Sequence, residues 1–293
     1  MHKRIFIVGS PRSGTTLLQG MLASHPAVFS LPETFFFVKA TQGHFFKRKF
    51  LWPAIKIYGH LEGIVRELGR DDLVKNAKVG LFARKYANSF TEVLDRLTAD
   101  SGKKIWVEKT PWHLRSIEEI TKQVPGAAFI HIVRDGKDVV ASLYNATHLQ
   151  TQEWATLQPS WYPGFLKFKP YSIEDCVKIW NEDISLTREV IGRANHFVLN
   201  YDELVAHPES VIREVADFIG INFDEAMLAP TASVGRITRK QELWKINNAS
   251  SIKKSNNHFS NIFDQEQQAW IVAHLESKLL CDLSNFSRKK SER

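Results

Sequence analysis

The stretch Ile5, Phe6, Ile7, Val8, Gly9, Ser10, Pro11, Arg12, Ser13, Gly14, Thr15, Thr16, Leu17, Leu18 is where the fold declares itself. Residues 5–8 are apolar and mostly β-branched, the composition of a buried strand. A turn rich in Gly, Ser and Pro follows. Beyond it Leu17, Leu18, Met21 and Leu22 recur at helical spacing, which predicts a helix over 15–24. Strand, tight loop and helix bring backbone N–H groups around an anion at the helix start. Gly9 and Gly14 let the backbone approach such a ligand, Ser13, Thr15 and Thr16 add hydroxyl donors, and Arg12 adds a fixed positive charge. The stretch therefore reads as a site for a phosphate-like group. Gly9 to Gly14 keeps the G-x-x-x-x-G spacing of a Walker A loop, but Thr15 stands where that motif requires Lys. This argues against ordinary ATP or GTP hydrolysis. Taken alone, the same residues can also be nothing more than a turn.

The remaining pattern extends this unit into an α/β fold. Further short strands are expected at 27–31, 104–107, 127–133 and 197–200, with helical segments between them. Asp135 suits the N-cap of a helix over 136–144, another helix runs over 174–192, and Pro208 opens a third with Pro in its first turn. A last helix is expected over 264–279. Strands alternating with helices imply a P-loop-like, mainly parallel sheet flanked by helices on both faces. The chain has 293 residues, of which 43% are hydrophobic, enough for one large core. It shows neither an internal repeat nor a low-complexity linker, so a single domain over 1–293 is the simplest reading. Segments 35–101 and 147–172 are rich in aromatics. They read either as the lining of a pocket for a second substrate or as helix-packing core.

Composition narrows the function. Net charge is +7, which fits nucleic acid, a membrane surface or a strongly anionic small ligand. The basic residues are spread along the chain and no recognised nucleic-acid module is present, so no nucleic-acid partner is expected. No run of about 18 apolar residues predicts a membrane span. Two distant cysteines, Cys176 and Cys281, suggest neither a disulfide framework nor a zinc site. With a first strand beginning at Ile5, the expectation is a cytoplasmic protein.

In parallel sheets ligands sit at the C-terminal strand ends. There the sequence places Arg12, Glu33, Lys109, Arg134 and Tyr201, charged or polar groups far apart in the chain. Pro11, Arg12, Ser13, Gly14, Thr15 and Thr16 resemble the 5′-phosphosulfate loop of sulfotransferases that use 3′-phosphoadenosine 5′-phosphosulfate (PAPS). The segment from Ile130 through Arg134 and Asp138 to Ser142 resembles that family's 3′-phosphate motif, in which an Arg and a Ser hold the ribose phosphate. Residues 199–204, followed by His207, Pro208 and Glu209, are similar to the family's later strand–helix segment. The matches stand in the family's order and span most of the chain from 5 to about 220.

The resemblance implies a sulfotransferase that moves a sulfuryl group from PAPS, as donor co-substrate, to a hydroxyl or amine acceptor. That acceptor would be a small molecule, a lipid or a peptide, and no metal would be required. Arg12, Thr15 and Thr16 would hold the 5′-phosphate, Lys109 would approach the bridging oxygen, and Arg134 and Ser142 would bind the 3′-phosphate. Lys254, in a C-terminal basic loop, is carried as a further contact. Tyr201 either reaches the nucleotide or is a core tyrosine. The Lys-(Thr/Ser)-His pattern of cytosolic members is broken here, since Pro111 follows Lys109 and Thr110. Glu33 instead sits like the acidic residue of tyrosylprotein sulfotransferases, where a glutamate is the base. Catalysis is thus assigned to Glu33, Lys109 and Arg12, with His113 as the second candidate base. The rival readings are a P-loop kinase or ATPase-like protein, a basic nucleic-acid-binding protein and a catalytically inactive PAPS-binding relative.

Overall fold

A computed structural model describes residues 2–41, 52–74, 83–149, 170–238, 252 and 259–280. Five parallel strands form one sheet in the order β2-β3-β1-β4-β5. They are β1 (Lys3–Gly9), β2 (Val28–Ser30), β3 (Ile105–Lys109), β4 (Ala127–Val133) and β5 (His196–Asn200). β1 lies at the centre, with Ile5 beside Val107 on one side and Ala128 on the other. The chain passes left from β1 to β2 and β3, then crosses to β4 and β5. The reversal of direction therefore falls beside the C-terminal end of β1, where such sheets open a crevice.

Alternation along the strands supplies two cores. Phe6, Trp106 and Phe129 face one side, where they pack with Phe36, Phe37 and Phe90. Ile5, Ile7, Val107, Ile130 and Ile132 face the other and pack with Leu18, Leu22 and Ile212. Helices cover both faces. α1 (Thr15–Ala23), α2 (Phe36–Thr41), α3 (Trp52–Glu67), α4 (Asp71–Val74), α5 (Ala83–Asp100) and α6 (Ile117–Gln123) come first. α7 (Gly136–Leu149), α8 (Ile173–Val190), α9 (Tyr201–Ala206), α10 (Pro208–Ile219) and α11 (Thr231–Ile237) follow. Last among these come α12 (Phe259–Ile262) and α13 (Gln265–His274). α8 begins on a capping box between Ser172 and Asp175, and α10 carries Pro at its first turn. No helix among the described residues is long and apolar enough to cross a membrane.

Two expectations change in detail. α7 continues to Leu149 beyond the expected end at 144. α13 breaks off at His274, where its C-cap, Leu275, turns to an extended conformation, and residues 277–280 are helical again. The aromatics of segment 35–101 divide as well. Phe35, Phe36, Phe37, Tyr86 and Phe90 are buried in the core, with Phe36 stacked on Phe90 at 4.3 Å between ring centroids. Phe45, Phe46 and residues 150–169 lie outside the described residues, as does Lys254.

Candidate active site

The loop after β1 turns on backbone conformations that side chains resist. Gly9 and Gly14 have φ of 150° and 95°, and Arg12 itself takes φ 74°. The Ser13 N–H donates to the Ser10 carbonyl at 3.2 Å and closes the turn. Gly14 is the N-cap of α1 and provides no side-chain cap, so the first-turn N–H groups stay directed at the loop. A Cβ at Gly9 would stand 2.5 Å from the Ile132 carbonyl oxygen, and one at Gly14 would stand 2.3 Å from the Tyr201 ring. Neighbouring strands and the tyrosine thus demand these glycines, before any ligand is considered.

Strand ends then bring four other charged or polar groups to this loop. Arg134, just past β4, donates to the Arg12 carbonyl at 3.4 Å and to Asp138 at 3.0 Å. Its guanidinium lies 4.3 Å from the centroid of the Tyr201 ring. Tyr201 is buried between this cation and Gly14. Arg12 Nε donates to Ser142 Oγ at 3.0 Å, joining the first loop to α7. Burial and the repulsion of Arg134 push Arg12 down to about 10, against the opposing attraction of Glu33. Positive charge is therefore concentrated here at a cost. The hydroxyl of Ser13 and Nε of Arg134 are both buried without a hydrogen-bond partner among the described residues. Orphan donors beside crowded guanidinium groups fit a phosphate-bearing ligand.

On the β3 side, Lys109 Nζ bonds to Glu33 Oε1 and to Thr16 Oγ1, the latter at 3.2 Å. Lys109 is 2% exposed and Glu33 8%, so the ion pair is sequestered. A buried pair is weak evidence for stability, because desolvation offsets its attraction. Its position at the crevice points instead to chemistry. Glu33 pairs with Lys109; Arg12 is an electrostatic neighbour. Pro11 and Thr15 stay within the loop and the first turn of α1.

His113, the second candidate base, is fully buried. Its Nδ1 donates to Glu108 Oε2 at 2.8 Å and its Nε2 accepts the Phe37 N–H at 3.1 Å. Both ring nitrogens are engaged inside the protein. Glu108 had no assigned role in the sequence, although a glutamate beside the apolar run of β3 is itself a signal. Asp138, the acid bonded to Arg134, was likewise unassigned.

Sheet and crevice together define an α/β protein built to grip an anion across the C-terminal ends of its strands. The chain belongs to the sulfotransferase family, which it matches over residues 4–225. It is 27% identical over 229 residues to a Drosophila melanogaster protein-tyrosine sulfotransferase, covering 76% of this chain and 39% of that protein. It shares its fold with the sulfotransferase domain from the curacin biosynthetic pathway. That likeness has 17% identity and a TM-score of 0.58, and covers 93% of this chain and 97% of the domain. A mouse sulfotransferase, SULT7A1, solved complexed with PAP, has the same fold at 13% identity and a TM-score of 0.50, covering 98% of this chain and 90% of that one.

Proposed function

We propose that this protein transfers the sulfuryl group of PAPS to an acceptor hydroxyl, with Glu33 as the base and no divalent ion. The acceptor oxygen attacks sulfur as the bond between sulfur and the bridging oxygen breaks. The acceptor proton passes to Glu33, and adenosine 3′,5′-bisphosphate (PAP) departs with the bridging electron pair. Charge grows on the leaving phosphate, where Arg12, Ser13 and the first-turn N–H groups of α1 would receive it. Arg134 and Ser142 would hold the 3′-phosphate. Lys109 has two natural positions in this scheme, on Glu33 and on the bridging oxygen. As it follows the developing charge it leaves Glu33 the stronger base. Fixed cations already stand where charge neutralisation is needed, and this supports metal independence.

One observation carries the reading: a buried lysine–glutamate pair adjoins a loop where two guanidinium groups crowd beside orphan donors. The PAP held by a structural relative supports the nucleotide, and the name of the Drosophila relative supports a tyrosine hydroxyl in a peptide or protein as acceptor. Radiolabelled PAPS incubated with tyrosine peptides, phenols and lipid alcohols tests this directly. Label should move to at least one acceptor with EDTA present. Thermal shifts distinguish the kinase-like alternative, since PAP should raise the melting temperature more than ATP with magnesium does. The reverse order, without transfer, would reject the proposal.

A further inference from the structure

Two adjacent residues of β3 hold two adjacent residues of the loop after β2. Lys109 takes Glu33, and Glu108, pointing to the opposite face of the sheet, takes Thr34. The Glu108 carboxylate is buried and receives four hydrogens. Its Oε1 accepts the Thr34 N–H at 3.2 Å, the Thr34 hydroxyl at 2.8 Å and the Thr110 hydroxyl at 2.6 Å. Its Oε2 accepts from His113 Nδ1 at 2.8 Å. Burial pushes this carboxyl up, but His113 and the hydroxyl hydrogen bonds outweigh it and hold Glu108 below the usual carboxylate range.

The donors belong to one small lattice around the segment that carries Glu33. Thr110 Oγ1 accepts the N–H groups of Thr34 and Phe35, Thr34 Oγ1 accepts that of Phe36, and His113 Nε2 accepts that of Phe37. Every backbone N–H from 34 to 37 thus has a side-chain oxygen or nitrogen as an acceptor. The segment needs this support, because Phe35 sits at φ 52°, an unfavourable region for a bulky residue. Glu108 alone among the described residues bonds the Thr34 backbone, both threonine hydroxyls and His113.

We propose that Glu108 is the positioning residue that fixes Glu33 for proton transfer, an inference that rests on the reading of Glu33 as the base. Proton counting gives the test. A carboxylate accepts at both oxygens, whereas Glu108→Gln places an NH2 at one of them with almost no change in volume. Facing His113, that NH2 meets the Nδ1–H. The histidine can relieve the conflict only by turning an Nε2–H toward the Phe37 N–H. Facing Thr34 and Thr110, it confronts three donors. Either way the lattice carries a hydrogen too many, and the loop holding Glu33 must shift.

Turnover, acceptor KM and PAP affinity are measured for wild type, Glu108→Gln, Glu33→Gln and the double variant. Glu108→Gln should lower kcat roughly 10- to 100-fold, the scale of a displacement near 1 Å, while PAP affinity stays within about threefold. In the Glu33→Gln background it should remove little further activity, since two groups acting as a unit are not additive. Losses that multiply in the double variant would overturn the positioning role and leave Glu33 standing as base. Wild-type turnover in Glu33→Gln would overturn the base reading, and this inference with it. If Glu108→Gln does not fold, Thr34→Val takes its place, removing one hydroxyl while keeping volume and the backbone N–H. It should lower kcat in the wild-type background alone, and an unchanged kcat there would equally overturn the role.

Discussion

Arg12 and Arg134 stand close enough at one end of the crevice to repel each other, while at the other end Lys109 and Glu33 neutralise each other. Among the described residues Asp138 is the carboxylate bonded to Arg134, and the first end retains orphan donors. In the proposed function an anion completes its electrostatics. The Lys109–Glu33 end is already complete, and stays so until charge moves and a proton needs a place to go. On the proposed reading, binding and reaction are divided between the two ends, so a change at one should leave the other largely intact.

The largest expected effect tests the reacting end. Glu33→Gln keeps the shape of the side chain and removes its basicity, so turnover should fall about 100- to 10,000-fold, the usual contribution of a general base. PAP affinity, measured by calorimetry, should hardly change. Turnover within a few-fold of wild type would erase the distinction between the ends. The binding end is next. Arg134→Ala removes a cation from the expected phosphate site and should weaken PAP by about 1.5–3 kcal/mol, the range for hydrogen bonds to charged groups. Turnover at saturating donor should survive. If kcat collapses and affinity holds, the assignment of the two ends is reversed.

Most of this division can be read in the sequence, and the unread parts share a physical cause. Strands buried on both faces betray themselves as short apolar runs, so all five appear where periodicity puts them. A parallel sheet also gathers its strand ends on one edge, which is why Arg12, Glu33, Lys109 and Arg134 fall together on the sequence pattern alone. What periodicity does not supply is the partner of each side chain. The sequence leaves open whether Glu33 meets Arg12 or Lys109, or whether Tyr201 faces a nucleotide or a glycine. Gly14 shows the limit well. Its φ of 95° suits a loop that approaches a ligand, yet its missing Cβ is required by a tyrosine 187 residues further along. Glu108 is another case. Alternation places it on the face opposite Lys109, but its ring of donors comes from residues 34, 110 and 113, assembled only by the fold.

The smallest effect lies beside the crevice and serves as its control. His131 on β4 and His196 on β5 share one hydrogen bond, with Nε2 of the first 2.9 Å from Nδ1 of the second. Burial, then the facing His196, pushes His131 down to about 3, and burial followed by Arg193 pushes His196 down to about 4. Both rings are neutral in the folded protein near neutral pH, whereas in the unfolded chain each titrates near its ordinary value of about 6.5. Below that value the unfolded state binds more protons, so stability falls as pH drops from about 6.5 toward 4. For His131 alone the loss between pH 7 and pH 5 is about 2 kcal/mol. Urea melts at the two pH values should show His131→Phe losing less than wild type by roughly that amount, whatever its stability at pH 7. Its PAP affinity at pH 7 should match wild type, because the pair touches neither end of the crevice. An equal loss in both proteins would mean that His131 is not held neutral. A change in PAP affinity would mean that the binding end depends on the sheet interior beneath it, and the two ends could no longer be treated as the independent units that their charges describe.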